Sequence, residues 1–183
     1  MAKASQVVLL ENEFYLIKAP NGKVLEIKNF NTENGAVIRL WDYAGHPWQQ
    51  WQFVDAGEGR WRIRNRFTGK FIDLALGGVV EGTWLHQWGR TSGLSQCWEL
   101  ESTRNGRTRI RNVLAGKYID LVGMNTSNGA QAQIWNYVSG GNQEWNLVRV
   151  DPDTAQTSAR AEEKRDPEPC LLYTSPSPRD LST

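Results

Sequence analysis

Polar and apolar residues alternate along several short stretches of the first 150 positions. In residues 60–64 and 107–111 every second residue is an arginine, and the residues between are Trp, Thr or Ile. A period of two is typical of a β-strand with one buried face. No stretch before Asp151 keeps a helical period of apolar residues. The pattern therefore predicts an all-β domain of short strands joined by turns.

Three further segments alternate in the same way after a turn glycine. They read GKVLEI, GKFIDL and GKYIDL. Their aliphatic residues are expected to face the core, so the acidic residue between them is expected to point outward. These expected outward carboxylates are Glu26, Asp73 and Asp120. A second turn glycine precedes the segments AVIRLW, TWLHQW and AQAQIW, which read as β structure as well.

The segments recur at a fixed step of 47 residues, with no insertion or deletion. Such a period indicates a repeat architecture in which one unit cannot bury its own apolar side chains. Three units without capping repeats predict closure about a pseudo-threefold axis rather than an open solenoid. The repeated positions are Gly22, Gly69 and Gly116; Lys23, Lys70 and Lys117; Gly35, Gly82 and Gly129; Trp41, Trp88 and Trp135; Gln49, Gln96 and Gln143; and Trp51, Trp98 and Trp145.

The composition is that of a chain with a core. Hydrophobic residues make up 39% of the sequence and the net charge is +1, so the chain can bury a core and need not be disordered. The alternating arginines form a basic stripe that could meet phosphates. The near-zero net charge and the absence of a nucleic-acid motif favour a solvated strand face, so no nucleic-acid partner is expected. No apolar run is long enough to span a membrane, so membrane insertion is not expected.

Cysteine usage favours a reducing compartment. The chain has two cysteines, Cys97 and Cys170. Cys97 occurs in only one repeat, so a disulfide framework is excluded. The apolar run at residues 7–10 is too short for a signal-peptide core. We therefore expect a cytoplasmic or non-classically exported protein.

The character of the sequence changes after residue 150. Residues 151–169 are mostly charged residues, Ala, Thr and Pro, which predicts a disordered linker or tail. Residues 170–180 read CLLYTSPSPRD and resemble the translation of a transposon-based sequencing adapter. A genuine Ser/Pro-rich tail is the alternative. The expected organisation is a domain at 12–150, a tail at 151–169 and an adapter-derived segment at 170–183, with the natural continuation beyond 169 left open.

The motif Gln-x-Trp stands near the end of each repeat, as QQW, QCW and QEW. Three copies in register with LDV-like and LW-like segments resemble the ricin-B-type lectin domain, a β-trefoil, over residues 12–150. The resemblance implies a six-stranded barrel capped by three hairpins, with up to three shallow sugar pockets, one in each repeat. The disulfide that many extracellular members place in each repeat is absent. Tyr118 and Tyr137 stand at its two positions in the third repeat and look like an apolar replacement.

The resemblance also implies which residues form a pocket. They are a carboxylate, a Gln two residues before a stacking aromatic, that aromatic, and an Asn-Gln pair before the core Trp. The third repeat has all of them, at Asp120, Gln133, Trp135, Asn142 and Gln143. The second repeat has Asp73, His86, Trp88, Ser95 and Gln96 at these positions. The first repeat has Glu26, Arg39, Trp41, Trp48 and Gln49. The third repeat is therefore expected to bind best and the first least.

Two sets of tryptophans are expected to have different roles. Those of the Gln-x-Trp motifs, Trp51, Trp98 and Trp145, are expected in the core. The other set, Trp41, Trp88 and Trp135, is expected to face outward beside the carboxylates. A flat ring there suits the C–H face of a pyranose, and the carboxylate suits its hydroxyl groups. The alternative is that these outer tryptophans pack beneath the hairpins.

We therefore expect a carbohydrate-binding lectin domain without catalytic activity, with glycans or glycoconjugates as partners. The resemblance implies galactose or N-acetylgalactosamine as leading ligands. Asp73 and Asp120 belong to separate repeats, so nothing indicates the close carboxylate pair of a glycosidase. His46 and His86 stand at unrelated positions of the repeat, beside no Cys pair, so no metal site is expected, and no cofactor either.

Two alternatives remain at this point. One is a trefoil used for protein contacts, as a protease inhibitor or a toxin-delivery module. The other is the binding appendage of a carbohydrate-active enzyme. The oligomeric state is left open.

Overall fold

Twelve short strands form one antiparallel sheet in the computed structural model, which describes residues 8–152. The strands are β1 (Tyr15–Lys18), β2 (Val24–Ile27), β3 (Ile38–Trp41), β4 (Trp51–Gly57), β5 (Arg60–Asn65), β6 (Phe71–Leu74), β7 (Leu85–Trp88), β8 (Trp98–Ser102), β9 (Thr108–Asn112), β10 (Tyr118–Leu121), β11 (Ala132–Trp135) and β12 (Asn146–Arg149). Each repeat contributes four of them, which confirms the predicted all-β, pseudo-threefold architecture. The predicted tail segments lie outside the described residues from position 153 onward.

The first and last strands of the three repeats form a closed six-stranded ring. Its order is β1, β4, β5, β8, β9 and β12, and β12 pairs with β1 over four residue pairs. The remaining joint, between β9 and β12, is the bridge from Thr108 to Trp145, with N–H···O distances of 2.8 and 2.9 Å. The ring therefore leaves none of its strands with an unpaired edge at these joints.

The middle strands of each repeat form three hairpins, which are joined to one another in a cycle. The backbone N–H of Gly35 donates to Gln87 O at 2.8 Å, and that of Gly82 donates to Ile134 O at 2.9 Å. Gly129 completes the cycle by donating to Leu40 O at 2.8 Å. These glycines have φ between 87° and 91°, a conformation that residues with a Cβ rarely adopt. The predicted turn glycines thus carry the contacts that hold the repeats together.

The tryptophans of the Gln-x-Trp motifs fill the core, as predicted. Trp51, Trp98 and Trp145 are at most 1% exposed. Their indole Nε1 atoms donate to the carbonyl oxygens of Leu25, Ile72 and Ile119 at 3.0, 3.2 and 3.2 Å. Each ring therefore fills space and also ties the end of its repeat to the first strand of the hairpin.

The prediction that the strand carboxylates point into solvent is wrong. Glu26, Asp73 and Asp120 are 3%, 7% and 3% exposed, so the carboxylates are buried rather than directed into solvent. The alternation within the strands is correct, because these side chains do lie on the face opposite the aliphatic core residues. That face is covered, however, by a 3₁₀ turn just before each core tryptophan, and a glutamine of this turn donates to the carboxylate.

The prediction of repeats without insertion or deletion is wrong in one turn. Ala19 N donates to Lys23 O, whereas Asn65 N and Asn112 N donate to the lysines five residues ahead. The turn between β1 and β2 is therefore one residue shorter than its two equivalents. The longer turns are held by the Asn65 and Asn112 carboxamides, which accept two backbone N–H groups each. Alanine offers no such acceptor.

The rings of Tyr118 and Tyr137 lie 6.0 Å apart in an edge-to-face arrangement, which confirms the predicted apolar contact. Cys97 is buried and has a free thiol. None of the helical turns in residues 8–152 is long enough to cross a lipid bilayer.

We predict that Trp145→Ala lowers the free energy of unfolding by about 3–5 kcal/mol, because a large cavity replaces a fully buried ring. Denaturant unfolding measures this loss. Trp84→Ala is the matched control, since the Trp84 side chain is 52% exposed, and its effect should be small. Equal losses in the two variants would show that the Gln-x-Trp ring does not carry the core.

Candidate functional site

A fully buried glutamine organises the same frame in every repeat. In the third repeat, Gln143 Nε2 donates to Asp120 Oδ2 at 3.0 Å and to Asn136 O at 2.8 Å, and Gln143 Oε1 accepts the Val138 N–H. Gln49 and Gln96 make the equivalent bonds to Glu26 and Asp73. Both amide hydrogens are used, so this glutamine positions the carboxylate and the loop before the 3₁₀ turn.

The outer tryptophans rest against the hairpin glycines of the neighbouring repeat. A Cβ added to Gly82 would lie 3.8 Å from Cζ3 of Trp135, and Gly35 and Gly129 are placed likewise against Trp88 and Trp41. These rings are supported from one side by backbone and are not buried beneath the hairpins: Trp41 and Trp88 are 37% and 40% exposed. Trp41 and Trp88 therefore keep surface that a ligand can reach, and Trp135 is partly buried.

The third repeat has the largest of the three pockets. Its volume is about 600 Å³, compared with about 240 Å³ in the second repeat and about 250 Å³ in the first. Asp120, Gln133, Trp135 and Asn142 of the predicted site line it, whereas Gln143 lies behind it. Val122, Gly123, Met124 and Val138 form much of the remaining wall.

The Asp120 carboxylate is fixed but keeps capacity for a further hydrogen bond. Its Oδ1 accepts from Leu121 N at 2.6 Å and from Asn142 Nδ2 at 2.5 Å, and its Oδ2 accepts from Gln143. An ionised carboxylate offers about four acceptor sites, of which three are used here. Asn142 Oδ1 is buried and has no hydrogen-bond partner in residues 8–152. The Asp120 carboxylate therefore keeps one acceptor site for a ligand that carries hydroxyl groups.

The second repeat has a smaller pocket with a histidine across from its carboxylate. Asp73 Oδ1 accepts from Leu74 N at 2.7 Å, and His86 stacks on Trp88 with ring centroids 5.4 Å apart. Burial lowers the pKa of His86 below its usual value, and the nearby charge of Asp73 opposes this shift more weakly. Ser95 also lines this pocket, while Gln96 is fully buried behind it.

In the first repeat, Arg39 contacts both the carboxylate and the outer tryptophan. Arg39 Nε donates to Glu26 Oε2 at 2.9 Å, and its guanidinium lies 4.2 Å from the centroid of the Trp41 ring. Trp48, which replaces the asparagine of the third repeat, stacks on the His46 ring at 4.2 Å. The Glu26 carboxylate and one face of the Trp41 ring are therefore already in contact with Arg39.

One part of each pocket was not predicted from the sequence. A short left-handed turn follows the carboxylate strand, with positive φ at Asn29 and Phe30, at Leu76 and Gly77, and at Gly123 and Met124. These residues line the three pockets, and Leu76 is fully exposed. The sequence signal is that the three repeats differ here, as KNF, ALG and VGM, directly after a shared segment.

The carboxylates of this frame do not form a metal site in the part of the chain that the structure describes. No three His, Cys, Asp or Glu side chains cluster closely enough there to hold a metal ion.

The sequence model of the family described as ricin-type beta-trefoil lectin domain-like matches residues 6–88 and 94–164. Among solved structures, the chain is 31% identical to ThreeFoil, a designed 3-fold symmetric protein, with a TM-score of 0.73 over 75% of this chain and 99% of that one. It is also 31% identical to an exo-beta-1,3-galactanase from Clostridium thermocellum, with a TM-score of 0.75. That match covers 78% of this chain but only 31% of the enzyme.

A ricin B-like lectin from Macrolepiota procera, solved in complex with lactose, is 23% identical, with a TM-score of 0.67 over 80% of this chain and all of that one. At this identity the likeness shows the fold alone. No curated protein sequence matches the chain.

We predict that His86 makes stability depend on pH. Because its pKa in the folded state lies below the unfolded value of about 6.5, the unfolded state takes up a proton first as the pH falls. The stability present above pH 6.5 is then lost as the pH falls through the folded-state pKa. His86→Gln, which copies the residue of the third repeat, should remove this loss. Urea unfolding of both proteins at pH 7.5 and 5.0 measures it, and parallel profiles would contradict the assignment.

Proposed function

The chain belongs to the ricin-type β-trefoil lectin domain-like family, and we propose that it binds galactose or N-acetylgalactosamine units of glycans through the pocket of its third repeat. Membership of this lectin family supports carbohydrate binding in general. The sugar and the preferred repeat are the specific content of the proposal.

The observation that carries the proposal is the state of the three carboxylates. Asp120 lines the pocket, accepts hydrogen bonds from three uncharged donors, and has no cationic partner among the described residues. Glu26 forms an ion pair with Arg39, which also stacks on one face of Trp41. Hydrogen bonds to a charged acceptor contribute about 1.5–3 kcal/mol each. The second and third repeats therefore both keep a carboxylate without a cationic partner, and the third repeat has the larger pocket, about 600 Å³ against about 240 Å³.

The chemistry of the pocket suits a pyranose with one apolar face. Trp135 supplies a flat ring, and Asp120 and Asn142 line the pocket beside it, with the Asp120 carboxylate as the acceptor. In galactose the axial hydroxyl at C4 leaves a continuous patch of C–H groups on the other face, which can lie on such a ring while the hydroxyl groups meet the carboxylate. The similarity to an enzyme described as an exo-beta-1,3-galactanase supports a galactose-type ligand.

We propose no catalytic role for these pockets. Hydrolysis of a glycosidic bond normally uses two carboxyl groups on either side of the bond. The pockets of the second and third repeats are each lined by a single carboxylate, Asp73 or Asp120, among the described residues. Since the match covers only 31% of the galactanase, a second candidate is that this chain is the sugar-binding module of a longer carbohydrate-active enzyme.

Single open pockets of this kind bind weakly, and useful affinity arises when two or more engage a clustered glycan. The second repeat, in which Asp73 has no ion-pair partner among the described residues and Trp88 is exposed, is the second site that we propose for such binding.

We predict that Asp120→Ala and Trp135→Ala each weaken binding of methyl β-galactoside at least about tenfold, since each removes an interaction that the sugar makes directly. Isothermal titration calorimetry of the wild type and the variants measures this. Glu26→Ala and Trp41→Ala are the matched controls in the first repeat, and they should change the affinity less than about twofold.

Loss of binding in the Glu26→Ala protein with no effect of Asp120→Ala would contradict the assignment of the third repeat. A wild-type protein that binds no glycan on an array would favour the protein-contact alternative. Circular dichroism of each variant confirms that the fold is retained.

A further inference from the structure

A second open groove lies beside the β4–β5 hairpin in the second repeat. Its walls are formed by Val54, Asp55, Phe71 and three arginines, Arg62, Arg64 and Arg90, and we call it the arginine groove. It shares no lining residue with the sugar pocket of the same repeat. It is also not part of the function proposed above.

The walls of the arginine groove carry three arginines and one carboxylate, Asp55, among the described residues, so positive charge is in excess there. In residues 8–152, no carboxylate lies within ion-pairing distance of any of the three guanidinium groups. Arg62 Nε is buried without a hydrogen-bond partner, and Arg64 Nε donates only to Gly69 O. The acidic wall residue Asp55 accepts from Gly57 N instead. Leaving such donors unpaired is unfavourable unless a ligand or solvent completes them.

The third repeat shows what the same position looks like when the protein neutralises it. Arg109, the equivalent of Arg62, also has a buried Nε without a hydrogen-bond partner, but its Nη2 lies 2.9 Å from a carboxylate oxygen of Glu144. Arg111 lies 3.6 Å from Glu99. Tyr137 also packs under the Arg109 guanidinium. In the second repeat, the two glutamate positions are taken by Cys97 and Gln52. The loss of both partners leaves the arginines unpaired.

The first repeat fills this position with apolar side chains. Leu16, Val24 and Val150 form a buried cluster there, against which Tyr43 packs. Val24 and Tyr43 are the equivalents of Phe71 and Arg90. One site of the fold is thus closed by apolar packing in the first repeat and by ion pairs in the third. Within residues 8–152, only the second repeat leaves it open with arginines that have no ion-pair partner.

We propose that the arginine groove binds a sulfate or phosphate group. A guanidinium presents planar pairs of N–H donors that match the oxygens of such a group, and three of them converge here. The other arginines of the β5 region are engaged elsewhere: Arg60 lies 3.4 Å from Glu58, and Arg66 stacks on Phe14. The free charge is therefore confined to one groove, which fits a single anionic group rather than an extended polyanion.

The oxyanion has two chemical sources, a free ion or an ester on a sugar. Phe71 of the groove and Asp73 of the sugar pocket are two residues apart on β6, and side chains at this spacing share a face about 7 Å apart. A sulfated sugar on Asp73 and Trp88 would therefore hold its ester near the arginines. Only this second source rests on the proposed sugar function.

The test is calorimetric titration of the full chain with inorganic sulfate and inorganic phosphate at low ionic strength. We expect binding that weakens at least about tenfold in Arg90→Gln and in Gln52→Glu. Gln52→Glu keeps every arginine and adds beside Arg64 the carboxylate that Glu99 places beside Arg111, in the same strand register. Loss in this variant therefore reports charge rather than damage to the fold. Arg60→Gln is the matched control and should bind as the wild type does.

Absence of sulfate and phosphate binding in the wild type overturns the proposal, as does an equal loss in Arg60→Gln. Titration with galactose 6-sulfate separates the two sources. Tighter binding than either sulfate or galactose, removed by Trp88→Ala, supports the sugar ester, and affinity equal to that of sulfate supports the free ion. Sulfate binding without galactose binding would support the proposed anion site and contradict the proposed sugar function.

Discussion

The hydrogen bonds of one buried glutamine fix the geometry on which each pocket depends. Gln143 holds the Asp120 carboxylate and the loop after β11, and Trp145, two residues later, donates to the carbonyl of Ile119. The Gln-x-Trp motif therefore hydrogen-bonds to two successive residues of β10, to the backbone carbonyl of Ile119 and to the side chain of Asp120. Because the glutamine is neutral, it orients the carboxylate without cancelling its charge, and the charge remains available to a ligand.

On this shared frame, one cross-strand position decides the state of each pocket. Arg39, His86 and Gln133 lie directly opposite Glu26, Asp73 and Asp120 in the strand register. An arginine there pairs with the carboxylate and stacks on one face of the outer tryptophan. A histidine stacks on the tryptophan, and burial lowers its pKa, which favours the uncharged imidazole. A glutamine is uncharged, so it leaves the carboxylate without a cationic partner from this position. The threefold frame thus allows three pocket chemistries without a change of fold.

The strands, the period and the core tryptophans could be predicted from the sequence, because alternation and repetition report which side chains share a face. The burial of Asp120 could not, since alternation gives the face of the strand but not whether a later segment covers it. The shorter turn after Ala19 could not be predicted because Gly22, which follows Ala19, keeps the 47-residue spacing to Gly69 and Gly116. Non-glycine residues with positive φ, such as Leu76 and Met124, leave no signal in hydrophobic periodicity, although they line the pockets. The arginine groove emerged only when the structure showed which arginines lack partners among the described residues.

The central claim is that a galactose-type sugar binds at Trp135 and Asp120. Its most direct test is a titration with methyl β-galactoside followed through the indole N–H signals in ¹H–¹⁵N spectra, in which every tryptophan reports separately. The account predicts that the Trp135 signal shifts first and furthest, that the Trp88 signal shifts at higher sugar concentration, and that the Trp41 and core signals stay in place. A largest shift at Trp41, or no shift at any outer tryptophan, would contradict it.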